Sequence, residues 1–266
     1  MLSALRKLFG ATEPATRPAV PAGQRVYAVG DIHGCAAEFA ALIAAIDADD
    51  AARGAAETTV VLLGDLVDRG PDSAGVVGLA QAWQARRKVR ILIGNHEEMF
   101  LDSFDSIEVL RQFLRHGGRE TLLSYPLDAA AYADAGFAET QDLMRAAVPK
   151  AERDWLAGLE DAVLIGDYLF VHAGIMPGVP LDQQKLSDLR WIREPFLSHR
   201  ESHGSVVVHG HTITKDVDVW PNRIGIDTGA YASGKLTALG LEGEARWLLQ
   251  TVKVEDAVSV SQGKLP

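Results

Sequence analysis

A chain of 266 residues with 26 Lys+Arg against 36 Asp+Glu carries a formal charge of −10, and 47% of its residues are hydrophobic. This is the composition of a folded protein with one large α/β domain or two small ones, and it excludes a disordered chain. The acid excess speaks against nucleic-acid binding, which needs basic patches, while a single cysteine, Cys35, rules out an internal disulfide framework and fits a reducing, cytoplasmic setting.

Residues 1–24 read as a flexible tail. MLSALRKLFG makes a short basic amphipathic helix with Leu2, Leu5, Leu8 and Phe9 on one side, and ATEPATRPAVPAG follows as a proline-punctuated linker. The segment is either solvated or a weak anchor for a membrane or partner. No apolar run follows the basic segment as in a secretory signal, and no stretch reaches the roughly 18 apolar residues of a membrane span. No stable membrane association is therefore expected.

From Arg25 the pattern is regular. RVYAVG (25–30) reads as a buried strand, AAEFAALIAAIDADD (36–50) as a helix with Phe39, Leu42, Ile43 and Ile46 inward, and TVVLL (59–63) as the next strand. A helix from Ser73 to about Arg86 and a strand VRILI (89–93) continue the alternation, which implies a largely parallel sheet with crossover helices. The stretch from about 97 to 158 is helical with no strand. Strands return at 162–166, 168–172, 205–209, 223–227, 236–242 and 245–252, and the last dozen residues are expected to fray.

Three strands of the first half end in glycine with metal-capable residues: Gly30-Asp31-Ile32-His33-Gly34, Gly64-Asp65-Leu66-Val67-Asp68-Arg69-Gly70 and Gly94-Asn95-His96-Glu97. Two later strands do the same, in His172-Ala173-Gly174 and His209-Gly210-His211. Taken singly, Gly-Asp is a common turn, a strand-end histidine is usually packed, and Asp68-Arg69 is an ordinary surface ion pair. Five together are different, because the carboxyl ends of parallel strands open on one crevice. Mixed oxygen and nitrogen donors there suit manganese, iron or zinc better than magnesium or calcium.

GDIHG, GDLVDRG, GNHE, VHAG and HGHT together resemble the metal-dependent phosphoprotein phosphatase family of the calcineurin-like metallophosphoesterases, over about Arg25 to Leu241. The likeness is greatest to its bacterial and phage branch, near the symmetrical diadenosine tetraphosphatases. It implies an α/β four-layer αββα sandwich of two mixed sheets, with a catalytic domain at 25–252, a helical cap at about 98–158 and a C-terminal tail at 253–266. It also implies two divalent metals, Mn(2+) first and Fe or Zn next, held by Asp31, His33, Asp65 (bridging), Asn95, His172 and His211.

By the same resemblance a hydroxide between the metals attacks phosphorus in line. His96 is then the general acid, Asp68 holds its ring in orientation and favours its protonated form, and Arg69 binds phosphate. Leu189-Arg190-Trp191-Ile192-Arg193 matches the family's Trp-x-Arg segment, making Arg193 the second phosphate clamp and Arg190 an ion-pair or surface residue. His209 is an extra ligand or, better, a support behind the ligands, since positions 209 and 211 share one side of a strand. His116, His199 and His203 read as solvated. Cys35, at a helix N-terminus, reads as packed rather than oxidation-prone.

Ile93, where eukaryotic members carry arginine, and the VHAG segment point to the bacterial branch. Asp68 and Glu97 differ from many dinucleotide hydrolases and favour phosphoserine, phosphothreonine and small phosphomonoesters over dinucleoside polyphosphates such as diadenosine tetraphosphate. The substrate is thus a phosphoprotein or small phosphoester, the enzyme is expected to be a monomer, and the acidic chain is expected to present a cationic pocket.

Overall fold

The structure is a computed structural model that describes residues 17–255 and 257–265; the amphipathic helix expected at Leu2–Phe9 lies outside the described residues. Chain order runs β1 (Gln24–Val29), α1 (Ala36–Ala52), β2 (Glu57–Leu62), α2 (Ser73–Arg86) and β3 (Val89–Ile91). Six short helices follow, α3 (Asn95–Asp102), α4 (Ile107–Phe113), α5 (Arg119–Ser124), α6 (Ala129–Asp134), α7 (Phe137–Ala147) and α8 (Lys150–Ala157), with a kink at Leu114–Gly118 between α4 and α5. The second half is β4 (Ala162–Ile165), β5 (Tyr168–Val171), α9 (Leu186–Trp191), β6 (Val206–His209), β7 (Asp218–Val219), β8 (Arg223–Gly225), α10 (Ala230–Ser233), β9 (Thr237–Glu242), β10 (Ala245–Val254) and β11 (Ala257–Lys264).

Two mixed sheets result, ordered β11-β10-β9-β1-β2-β3 and β4-β5-β6-β8-β7. Strands β1, β2 and β3 are parallel, as are β5, β6 and β8, so both sheets open their carboxyl ends on ligand-binding loops.

Strand alternation sorts the side chains into layers. Along β1, Tyr27 and Val29 face one core with Phe39, Leu42, Ile46 and Trp83 of the helices, while Val26 and Ala28 face another. That second core also takes Phe170, Val208, Ile224 and Leu239, and so lies between the sheets. Leu169, Val171 and Val207 turn outward to a third, with Leu189 and Phe196. Three cores separate four layers, and each large apolar side chain buried in them contributes roughly 1.5–3 kcal/mol.

The stretch 98–158 is helical, and Phe100, Phe113, Tyr125, Met144 and Leu156 belong to the same core as α1 and α2, so these helices are built onto the domain wall. Two expectations change. Residues 257–264 form an edge strand paired along β10, where fraying was expected; Val258 and Val260 alternate with serines, a pattern that an edge strand with one half-covered face tolerates. The N-terminal tail ends before residue 24: Val20 is 2% exposed in the inter-sheet core, and its N–H donates to the Gly243 carbonyl at 2.9 Å.

Candidate metal centre

Of the six non-glycine residues with positive φ among the described residues, five are His33, Asp65, Asp68, Arg69 and His211. Backbone strain of this kind collects at functional sites because only such turns aim several side chains at one point. Gly210 serves the same end by close approach: a Cβ there would stand 2.0 Å from Oδ1 of Asp31.

The metal-capable atoms of His33, Asp65 and His96 all lie within 4.8 Å of one another, and so do those of Asp65, His172 and His211. Asp65 is common to both groups, at 3.5 Å from His33 Nε2 through Oδ2 and 3.5 Å from His172 Nε2 through Oδ1. Asn95 joins the second group, its Oδ1 being 3.0 Å from His172 Nε2 and 2.8 Å from His211 Nδ1. Asp31 is in neither of these tight groups and lies against the second, where the His211 N–H donates to its two oxygens at 3.2 and 3.0 Å.

The donor set fits divalent metal. Nδ1 of His172 donates to the Leu63 carbonyl at 2.8 Å and Nδ1 of His33 to that of Val67 at 2.8 Å, which leaves each Nε2 with a lone pair facing the centre. Burial depresses the histidines, His172 to about 3 and His211 to about 2, and His33 well below its ordinary value, so they are neutral. His172 Nε2, Asn95 Oδ1 and the Asp65 carboxylate then confront one another with no proton between them, an arrangement that a cation resolves.

Arg69 spans the mouth. Its Nη1 donates to His33 Nε2 and its Nη2 to His96 Nε2, both at 3.0 Å. His96 Nδ1 donates to Asp68 Oδ2 at 2.6 Å, and Asp68 also accepts from the Thr121 hydroxyl at 2.6 Å. Burial lowers the His96 imidazole, Asp65 pulls it up and Arg69 pushes it down; lowering prevails, so the contact with Asp68 reads as fixing the ring's orientation rather than raising its basicity. Exposed Arg193 reaches the other flank, with Nη2 3.5 Å from the His211 carbonyl. Arg190 is paired instead, to Asp161 at 2.7 Å and Glu98 at 2.9 Å.

His209 departs from the strand-side argument. β6 ends at His209, and the positive φ of His211 turns the chain, so His209 packs edge-on to Phe196 at 5.0 Å and lies 3.4 Å from Arg223, away from both metal-capable groups. Cys35 is buried, and burial pushes its thiol up to about 12, which keeps it protonated. Three residues were not anticipated: Thr121, behind Asp68; Tyr231, whose ring lies 5.6 Å from that of His33 and 5.0 Å from the Arg69 guanidinium; and Asp227, against Asp31. Asp227 was legible, since it closes an apolar strand and a glycine follows at Gly229, as in the other five motifs.

Two back-to-back mixed sheets with five strand ends converging on Asp, Asn and His define a metallophosphoesterase. Residues 24–233 match the calcineurin-like phosphoesterase family, and the chain belongs to it. It is 31% identical to serine/threonine-protein phosphatase 1 of Salmonella typhimurium, over 80% of this chain and 90% of that one. It is 27% identical to a symmetrical bis(5'-nucleosyl)-tetraphosphatase of Janthinobacterium sp., over 81% of this chain and 92% of that one. A solved structure assigned as a diadenosine tetraphosphatase shares the fold, with a TM-score of 0.60, 21% identity and coverage of 93% and 98%.

Proposed function

We propose that this phosphoesterase hydrolyses phosphoserine and phosphothreonine in proteins, together with small phosphomonoesters. Asp31, His33 and Asp65 hold one divalent metal, and Asp65, Asn95, His172 and His211 hold a second, with Mn(2+) the first choice. Bound there, the metals supply Lewis acidity and lower the pKa of water enough to make it a nucleophile near neutral pH. Arg69 and Arg193, on opposite flanks, bind the phosphoryl oxygens and set the phosphorus in line. His96 protonates the leaving alcohol, and Asp68 with Thr121 keeps its ring aimed.

The contact of Asp68 with His96 carries the substrate assignment, because a serine or threonine alkoxide is a poor leaving group that needs a positioned acid. Glu97, the other residue that favoured monoesters, lends less support: its carboxylate is turned to the backbone of the loops and not to the cleft. The test is a comparison of phosphoserine peptide, p-nitrophenyl phosphate and diadenosine tetraphosphate with the Mn(2+)-loaded protein. Higher kcat/KM on the two monoesters is expected; strong preference for the dinucleotide would replace this reading with dinucleoside polyphosphate hydrolysis. We place the enzyme in the cytoplasm of a bacterium, in keeping with its bacterial relatives, and take it to act as a monomer. No helix among the described residues is long and apolar enough to cross a membrane.

A further inference from the structure

We propose that Asp227 is an additional oxygen ligand on the Asp31 side of the metal centre. The proposal rests on the dimetal reading above and adds a sixth strand end to it. Asp227 follows β8, which runs parallel to β6, so its carboxylate enters the same crevice as His211. It is 1% exposed. Oδ1 accepts from the Gly229 N–H at 2.9 Å, but Oδ2 has no donor among the described residues and is buried. Its carboxyl neighbours that of Asp31, a group whose own oxygens share the single N–H of His211. The close approach is built into the chain, since a Cβ on Gly30 would stand 2.6 Å from the Ile226 carbonyl.

Two buried carboxylates therefore face each other with two backbone N–H donors between them. Elsewhere in the site such groups are satisfied: Glu97 accepts four backbone N–H groups, and Asp68 is held by Thr121 and His96. A buried charge is kept only where it is paired, hydrogen-bonded or coordinated to metal. Arg69, the nearby cation, sets one positive charge against two carboxylates, so a divalent ion against Asp31 is the partner that completes the balance. A purely structural role, holding the Gly229 N–H at the start of α10, needs only one oxygen and no charge.

Asp227→Asn separates the roles, because the amide keeps an oxygen for Gly229 and removes the charge. Mn(2+) titration of the full chain against a chromophoric chelator should give two ions in the wild type. In Asp227→Asn one ion should remain at wild-type affinity and the other should bind about 10–100-fold more weakly. The metal-free melting temperature should move the other way, rising by about 2–4 °C as the carboxylate repulsion is relieved. Asp227→Ser, which also leaves an oxygen for Gly229, repeats both measurements if the amide variant folds poorly. Two ions bound at wild-type affinity by the variants overturn the assignment of Asp227, as does a lowered metal-free melting temperature. A wild type that binds no Mn(2+) overturns the dimetal reading itself.

Discussion

Oδ2 of Asp68 lies 2.6 Å from Nδ1 of His96, and neither side chain is more than 2% exposed. A buried imidazole held this way keeps its Nε2 in a fixed direction; that nitrogen accepts from Arg69 at 3.0 Å, and acts as a general acid once it takes up a proton and Arg69 turns to the phosphate. Asp68→Asn keeps the volume and loses the acceptor pair. We expect kcat on phosphoserine peptide to fall by about 10²–10³ and kcat on p-nitrophenyl phosphate, whose leaving group needs little protonation, to fall far less, with metal content unchanged. Equal losses on the two substrates would assign Asp68 a structural role only.

Asp65 is shared by the two metal-capable groups, so Asp65→Asn should strip both ions and not one. Elemental analysis of the purified variant checks this, and retention of two ions would contradict the shared position. Chelation of the wild type should likewise abolish turnover, with recovery on adding Mn(2+) back.

Glu97 accepts from the N–H groups of Asp65, Leu66, Val67 and Gly94 at 2.7–3.2 Å, clamping the loops after β2 and β3 together. Glu97→Gln turns one acceptor into a donor facing those N–H groups. The expected cost is about 2–4 kcal/mol in urea unfolding, together with weakened metal binding, because Asp65 and Asn95 sit on the clamped loops. A stability within about 0.5 kcal/mol of wild type would remove the clamp from the account.

The metal-capable side chains were legible because each follows an apolar strand and precedes or follows glycine, a local pattern that topology then gathers into one crevice. Asp227 obeys the same rule and was passed over, because no further motif flanks it. Thr121, Gly117 and Tyr231 could not be read: each serves Arg69, His33 or Asp68 across a gap in sequence that only the fold closes. Glu97 was read as a mark of substrate class, whereas its four backbone partners show a loop clamp, a role that residue type alone does not reveal. Strand β11 was missed because its valines alternate with serine at a sheet edge, where little apolar surface is required.

The kink at Leu114–Gly118 ties the middle helices to the cleft. Gly117 has φ of +105°, its carbonyl accepts the Arg69 N–H at 3.1 Å, and a Cβ on it would meet Arg69 N at 2.6 Å. Gly117→Ala must displace the arginine, so KM for phosphomonoesters and the inhibition constant for inorganic phosphate should both rise about tenfold, with kcat reduced less. An unchanged phosphate inhibition constant would show that Arg69 is positioned without this turn.

Asp49 governs stability far from the metals. Its Oδ2 accepts from Tyr27 Oη at 2.6 Å, Arg53 Nε at 2.7 Å and Trp247 Nε1 at 2.9 Å, joining β1, α1 and β10. Burial pushes this carboxyl up, but the hydrogen bonds from Arg53 and Tyr27 and the Arg53 charge outweigh it and hold it below its ordinary value. A carboxyl depressed in the folded state stabilises fully above its unfolded pKa of about 3.9, and the benefit disappears as pH falls through the folded value. Asp49→Asn should therefore cost about 1–3 kcal/mol at pH 6 in metal-free protein, and the gap to wild type should narrow below pH ~4. Urea unfolding of both chains from pH 6 to pH 3 measures it; a gap that stays constant or widens toward acid would mean that the Asp49 charge does not support the fold.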